Sequence, residues 1–293
     1  MLVISNPKEM QLLANNLRRE GKVIGFVPTM GALHEGHLRL IRKARKESDF
    51  LVVSIFVNPL QFEPGSDYNR YPRRFEEDRY KCEMEGVQAV FYPTVEDMYP
   101  EDFSTYVEVK NLDRYMEGEF RPGHFRGVAT VVLKLFNIVK PHFAVFGLKD
   151  AQQYYIIKRM VRDLNLDVEI VPHETVREPD GLAMSSRNEY LSEESRKQAT
   201  AIYKALKLGK EMIFSGERRS EKIKGEMKKF LNENAPSAKI DYVEIASTKT
   251  LEPVDIVSDE VLLAIAVRFP EARLIDNFII NADEGYVLNE NIG

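Results

Sequence analysis

Pro28-Thr-Met-Gly-Ala-Leu-His-Glu-Gly-His37 is the stretch whose reading decides how this 293-residue chain folds. The apolar run Val23-Ile-Gly-Phe-Val27 precedes it and reads as a buried strand. Leu38-Arg-Leu-Ile41 and Ala44 follow it at the spacing of an amphipathic helix. His34 and His37 therefore fall at a strand-to-helix junction. There the first helical N–H groups have no partner and the dipole end is positive, so anions are favoured, phosphates above all. Gly31 and Gly36 let the chain turn and come close to a ligand. The alternatives are a purely structural role at a helix start and a metal site. His-Glu-Gly-His lacks the HExxH spacing, and His124, His142 and His173 offer no obvious third ligand. The anion cradle is the better reading.

Working outward, Asn6-Pro7 opens a capped helix from Lys8 to Glu20 that stops at Gly21. Leu51–Val57 is a second apolar, β-branched run of strand length. Lys81–Glu85 belongs to a helix ended by Gly86, and Ala89-Val-Phe-Tyr92 is a third strand. Ser104–Val109 alternates polar and apolar residues, which predicts a half-exposed strand. Gly127–Val139 is long enough for a helix, Phe143-Ala-Val-Phe146 is another buried strand, a helix covers Asp150 to Asp163, and Val168-Glu-Ile-Val171 closes the set. Strands that alternate with helices and are apolar throughout predict an α/β fold with a Rossmann-like parallel sheet covered on both faces. Ligands of such sheets bind at the carboxyl ends of the strands. His34 and His37, Asn58 and Gln61, and Lys149 and Asp150 each follow a strand, so all three blocks are expected to open onto one crevice.

After Arg187 the pattern changes. Ser192 caps a helix running toward Gly216, and a charged helix covers about Ser220 to Asn232. Strand-like runs follow at Tyr242–Ala246, Val261–Val267 and Leu274–Ile280. This predicts a smaller C-terminal α+β domain, with a first domain over 1–175 and a second over 176–293.

Composition narrows the classes. Apolar residues make up 44% of the chain, as in globular proteins, and a net charge of −5 gives no basic footprint for nucleic acid. Charged residues reach 30%, which either a soluble surface or the ion pairs of a heat-adapted protein would explain. The lone Cys82 excludes an intrachain disulfide and reads as a bystander thiol. No charged leader or membrane-length apolar run is present, so a cytoplasmic protein without membrane contact is expected.

Four blocks in order, PTMGALHEGH from Pro28, SIFVNPLQF from Ser54, FGLKDAQQ from Phe146 and DGLAMSSRN from Asp180, resemble the pantothenate synthetase (pantoate–β-alanine ligase) family. The His-x-Gly-His junction is likewise similar to that of the nucleotidyltransferase superfamily. The resemblance is detailed from Val23 to Asn188 and looser to Asn277. It implies ATP-dependent condensation of pantoate with β-alanine through a pantoyl-adenylate, with Mg2+ accompanying ATP, and a homodimer with small-molecule substrates.

By the same resemblance, His34, His37, Lys149 and Arg187 are the catalytic groups. Met30, Gly31, Ala32, Leu33, Gly147, Asp150, Val176, Met184, Ser185 and Ser186 join them in binding ATP, placed between the two domains. Pro28, Thr29, Met30, Asn58, Gln61 and Gln153 bind pantoate. Glu77 and Asp78 lie where the family places outer magnesium contacts, although solvent-facing charges are an equal alternative.

Taken alone, Asn58–Gln61 is an ordinary turn, Lys149–Asp150 a surface pair, and Met184-Ser-Ser-Arg187, similar in character to KMSKS, a helix cap. Neutral amides suit a hydroxy acid because each both donates and accepts. Many relatives carry Glu at Leu148. Arg121-Pro-Gly-His124 resembles a segment near the substrates. Leu60–Arg74 is loop-like, and Tyr71, Arg73 and Arg74 would either close over the crevice or sit on a surface loop. The rivals are another adenylyltransferase acting on a phosphate ester, a tRNA synthetase and a non-enzymatic nucleotide sensor. A phosphate-ester site would need more cations than Asn58 and Gln61 offer.

Overall fold

The structure is a computed structural model that describes residues 1–63 and 67–290. In chain order the first elements are β1 (Leu2–Ile4), α1 (Pro7–Arg19), β2 (Ile24–Thr29), α2 (Glu35–Glu47), β3 (Phe50–Ile55), α3 (Phe75–Met84), β4 (Ala89–Phe91) and α4 (Val95–Met98). Then come α5 (Glu117–Phe120), α6 (His124–Val139), β5 (Phe143–Gly147), α7 (Ala151–Asp163) and β6 (Glu169–His173). The rest comprises α8 (Glu193–Phe214), α9 (Ser220–Asn234), β7 (Lys239–Ser247), β8 (Glu260–Arg268), β9 (Arg273–Asn281) and β10 (Tyr286–Val287). These elements form two compact units. The first comprises Met1–Lys110, Arg121–Gly147 and Gln153–His173. The second comprises Asn111–Phe120, Leu148–Gln152 and Glu174–Gly293.

The first unit holds a sheet in the order β1-β4-β3-β2-β5-β6, parallel at every pairing. Alternate residues of a strand face opposite sides. Val27 of β2 joins Ile41 and Ala44 of α2, Val53 of β3 and Val145 of β5 in one apolar cluster. Its neighbour Phe26 packs against Phe136 of α6 at 6.4 Å between ring centres. Both residues are buried. A strand that buries both faces must be apolar throughout, which is why Val23–Val27 carries no polar alternation. Asn6 caps α1 by accepting from the N–H groups of Lys8 and Glu9. The edge strand β1 escapes a sequence reading because it is three residues long and Leu2 and Val3 stay exposed.

Two expectations need correction. Ser104–Val109 forms no strand. The Val107 N–H donates to Thr130 Oγ1 of α6 at 2.9 Å, so the segment is tied to a helix side chain and not to a sheet edge. The 60–74 region is not simply a loop, since Pro59–Gln61 and Asp67–Arg70 are 3-10 turns and Phe75 already begins α3. Pro64 and Gly65 lie outside the described residues.

The second unit is an antiparallel sheet, β10-β9-β8-β7, with α8 and α9 packed on one face. Leu263, Ile265 and Val267 of β8 meet Ile202, Leu206, Ile223 and Met227 of the helices in its core. Ser192 caps α8 through the Ser195 N–H.

One close approach fixes where α6 lies in the first unit. A Cβ placed on Gly127 would stand 2.2 Å from Leu60 O and 2.7 Å from Gln61 N, both backbone atoms. Only glycine lets the helix meet the turn that carries Gln61. Gly127→Ala is expected to lower unfolding free energy by about 1–3 kcal/mol, the usual range for an overpacked site. Denaturant titration checks this, and an unchanged midpoint would contradict the close approach.

Candidate active site

The loop from Met30 to His34 is shaped by groups far from it in sequence. Gly31 (φ +83°) and Ala32 (φ +51°) both sit in the left-handed region, which costs an ordinary residue such as Ala32 about 1 kcal/mol or more. Asp78 of α3 holds them there. Its Oδ2 accepts from the Ala32 N–H at 2.8 Å and its Oδ1 from the Leu33 N–H at 2.7 Å. One turn on, Lys81 Nζ donates to Leu33 O at 2.6 Å. Leu33 is thus gripped at both of its peptide groups by two side chains from one helix face. Asp78 is only 1% exposed. Burial pushes its carboxyl above the usual range, and the two N–H bonds and Lys81 pull the other way. Thr29 completes the brace: its hydroxyl donates to Ser54 O at 2.7 Å and accepts from the Gly31 N–H at 3.2 Å.

Two residues expected near the ligands brace this loop. Both Asp78 oxygens are taken up by the loop backbone, and Glu77 is exposed beside it. Asp78 is therefore a loop brace, where an outer magnesium contact was expected. Thr29, expected among the substrate contacts, braces the same loop with its hydroxyl. The signal for Asp78 was readable, since it shares the helix face of Phe75 and Cys82, three before and four after it. Cys82 is fully buried, and burial pushes its thiol up to about 12, in keeping with an inert side chain.

His34 is the N-cap of α2. Its Nδ1 accepts from the Gly36 N–H at 3.1 Å, and His37 Nδ1 accepts from the His34 N–H at 3.3 Å, a capping box made of two imidazoles. The rings lie 4.2 Å apart. A nitrogen that accepts from a backbone N–H carries no proton, so each neutral ring holds its hydrogen on Nε2. Both rings then present an N–H donor on the side away from the cap.

The Asn58–Gln61 turn follows β3, the sheet neighbour of β2. Gln61 Nε2 lies 3.2 Å from Met30 Sδ, so this block and the His-x-Gly-His loop share one rim. The Gln61 backbone is anchored from α6. His124 Nδ1 donates to Gln61 O at 2.9 Å, and Arg121 stands 3.2 Å from His124 Nε2. A carbonyl can only accept, so His124 holds its proton on Nδ1, the opposite tautomer to His34 and His37. The sequence marked Arg121–His124 as resembling a segment near the substrates but did not show this anchor. Of the adjacent glutamines on α7, Gln152 is buried and bonds to Leu112 O, Tyr115 O and the Glu117 N–H, while Gln153 is half-buried. Pro28 lies in β2, and Gly147 ends β5. Tyr71 is buried beside Phe62 and Tyr68. Arg73 and Arg74 are exposed and line a cavity of about 230 Å3 with Met30, Phe56 and Tyr92.

The second unit carries Leu148–Gln152 of the third block and the whole of the fourth. Asn277 of β9 donates to Leu148 O and Lys149 O at 3.0 and 2.8 Å, and Asn289 in turn fixes Asn277 Oδ1. Lys149 and Asp150 line a small cleft with Glu117, Tyr242 and Asp276. Burial pushes the Lys149 ammonium below the usual lysine range; Asp150 and Asp276 oppose this, and Arg187 adds to it. Lys149 and Arg187 are thus near enough to sense one another. Leu148 is buried, and it is its carbonyl that Asn277 holds. Met184 pairs its N–H with Val176 O at 2.9 Å, and Ser185 caps the Ser186–Tyr190 turn by accepting from the Arg187 N–H at 3.2 Å. Capping leaves the Ser185 hydroxyl hydrogen available for donation. Among the described residues no group of three or more His, Cys, Asp or Glu could hold a metal ion.

A covered parallel sheet whose second strand enters a helix capped by donor imidazoles defines an α/β enzyme of the nucleotide-handling class. A family model described as pantoate-beta-alanine ligase matches residues 2–279. The chain is 57% identical to a pantothenate synthetase of Thermotoga petrophila over 96% of its own length and 100% of the relative's. A pantothenate synthetase structure from Thermus thermophilus superposes with a TM-score of 0.89 at 47% identity, covering 96% of this chain and 99% of that one. A pantoate-beta-alanine ligase from Francisella tularensis, solved with "Beta-gamma ATP" and β-alanine, gives 0.78 at 36% identity, covering 95% and 97%. The chain belongs to the pantoate–β-alanine ligase family.

The tautomers can be read directly. In 15N-edited NMR of the labelled protein at neutral pH, His34 and His37 are expected as Nε2–H forms and His124 as the Nδ1–H form. A protonated Nδ1 on His34 or His37 would contradict the capping geometry.

Proposed function

We propose that this protein condenses pantoate with β-alanine at the expense of ATP, through a pantoyl-adenylate, as a cytoplasmic homodimer. The observation that carries the reading is the shared rim on which Gln61 Nε2 stands beside Met30, in the loop that leads to the two imidazole donors. One edge offers an amide to a hydroxy acid and the other offers N–H groups to phosphate. No helix among the described residues is long and apolar enough to cross a membrane.

In the first step a carboxylate oxygen of pantoate forms a bond to the α-phosphorus of ATP, and the bond to pyrophosphate breaks. No general base is needed, because a carboxylate is already ionised at neutral pH. The protein's task is positioning and stabilisation of the charge that builds on the departing pyrophosphate. The Nε2–H groups of His34 and His37 serve this as neutral donors; Lys149, Ser185, Ser186 and Arg187 are the cations and hydroxyls that the family resemblance assigns to ATP. In the second step the neutral β-alanine amine forms a bond to the acyl carbon, the acyl–oxygen bond to AMP breaks, and the amine gives up one proton. Magnesium would enter with the ATP phosphates. The described carboxylates form no cage for it, and Asp78 is already committed, so no step is assigned to a protein-held ion.

ATP–pyrophosphate exchange tests the reading. Exchange is expected only when pantoate is present, and exchange indifferent to pantoate would overturn the proposal. His37→Ala is expected to slow single-turnover adenylate formation by about 10²- to 10³-fold, the scale of one lost transition-state donor. An unchanged rate would remove His37 from the chemistry.

A further inference from the structure

Asn58 is 1% exposed, and both ends of its amide are taken up inside the protein. Backbone groups decide which end is which. Nδ2 lies 3.1 Å from Gly127 O, which can only accept. Oδ1 lies 3.3 Å from the Leu60 N–H, which can only donate. The end facing Gln61 is therefore Nδ2, and it donates to Gln61 Oε1 at 3.0 Å. The Tyr99 hydroxyl stands 2.8 Å from Asn58 Oδ1 and must be the donor there. Burial pushes Tyr99 above the usual phenol range, so it keeps its proton. Its ring is wedged between Phe56 and Phe103, at 6.1 and 4.9 Å between ring centres.

With Oε1 engaged, Gln61 turns Nε2 to the rim. The partner there is Met30 Sδ at 3.2 Å, a weak acceptor that a ligand oxygen readily outcompetes. We propose that Tyr99 is a positioning residue for the ligation: through Asn58 it fixes the polarity of Gln61, so that Gln61 meets the hydroxy acid as a hydrogen-bond donor. Asn58 then acts through Gln61 and does not itself touch substrate. The arrangement selects a substrate that offers an acceptor oxygen, a carboxylate or a hydroxyl lone pair, at that point. The inference rests on the reading of Gln61 as a pantoate contact.

The test is steady-state kinetics with pantoate and ATP varied separately, on Gln61→Ala, Gln61→Glu, Tyr99→Phe and the Tyr99→Phe/Gln61→Ala double variant. Tyr99→Phe keeps the ring packing and removes one neutral hydrogen bond. It is expected to raise the KM for pantoate about 2- to 12-fold while that for ATP stays level. In the Gln61→Ala background Tyr99→Phe should add nothing, because its effect passes through Gln61. Gln61→Glu sets a carboxylate oxygen where Nε2 stood, and it should impair pantoate use at least as much as Gln61→Ala. A Gln61→Glu enzyme that uses pantoate better than Gln61→Ala would overturn the donor assignment. So would Tyr99→Phe that is silent, or equally harmful with and without Gln61. If Gln61→Ala itself leaves the KM for pantoate unchanged, the underlying contact has failed and the inference falls with it. A harmful Gln61→Ala beside a silent Tyr99→Phe overturns the inference alone.

Discussion

Leu33 is held at its N–H by Asp78 and at its carbonyl by Lys81, and the geometry of the His-x-Gly-His loop depends on that double grip. The loop has to place two consecutive residues at positive φ, one of them an alanine, before the first turn of α2. Left to itself a chain does not stay in that conformation. A buried carboxylate whose two oxygens each accept a backbone N–H makes it the only satisfied one, because any other path strands an acceptor in a dry site. Gly31 has to be glycine on the same ground: a Cβ there would stand 2.9 Å from Asp78 Oδ2 and 3.0 Å from Ile55.

Once the loop is fixed, the site is set up with neutral groups whose orientation the backbone dictates. Gly36 and His34 N–H groups decide the His34 and His37 tautomers, and Gln61 O decides that of His124. Gly127 O and the Leu60 N–H decide which way Asn58 faces, and hence Gln61. A neutral donor costs less to desolvate than a cation and still stabilises charge that develops beside it. Lys149 follows a different logic. It is a cation held below its usual range by burial, with its own backbone carbonyl fixed by Asn277.

Much of this was legible in the chain and some was not, for definite reasons. The buried strands at Val23–Val27, Leu51–Val57 and Phe143–Phe146 announce themselves because a strand covered on both faces has no polar positions, and the parallel α/β class follows. The capped helix after Ser192 and the small antiparallel unit follow from local signals of the same kind. Ser104–Val109 misled because period-two alternation shows that two sides differ, and not that a strand lies alongside; here α6 supplies the partner. The bracing role of Asp78 was hidden for a similar reason. A carboxylate after two glutamates reads as solvent-facing or metal-facing until its helix face is compared with those of Phe75 and Cys82. The bond from Tyr99 to Asn58 spans 41 positions and leaves no local pattern at all.

Hydrogen exchange at the Ala32 and Leu33 amides, measured on ligand-free, chelator-treated protein, tests the double grip most directly. Without nucleotide or metal present, protection can come only from the protein. Asp78→Asn keeps the shape of the side chain but can accept at one oxygen only, and it turns an N–H toward the other donor. If the loop is held as described, exchange at one or both amides accelerates about 10- to 150-fold, the equivalent of a lost bond to a charged group worth about 1.5–3 kcal/mol. Equal exchange in the native protein and the variant would show that the loop keeps its shape without Asp78, and would contradict the account at its base.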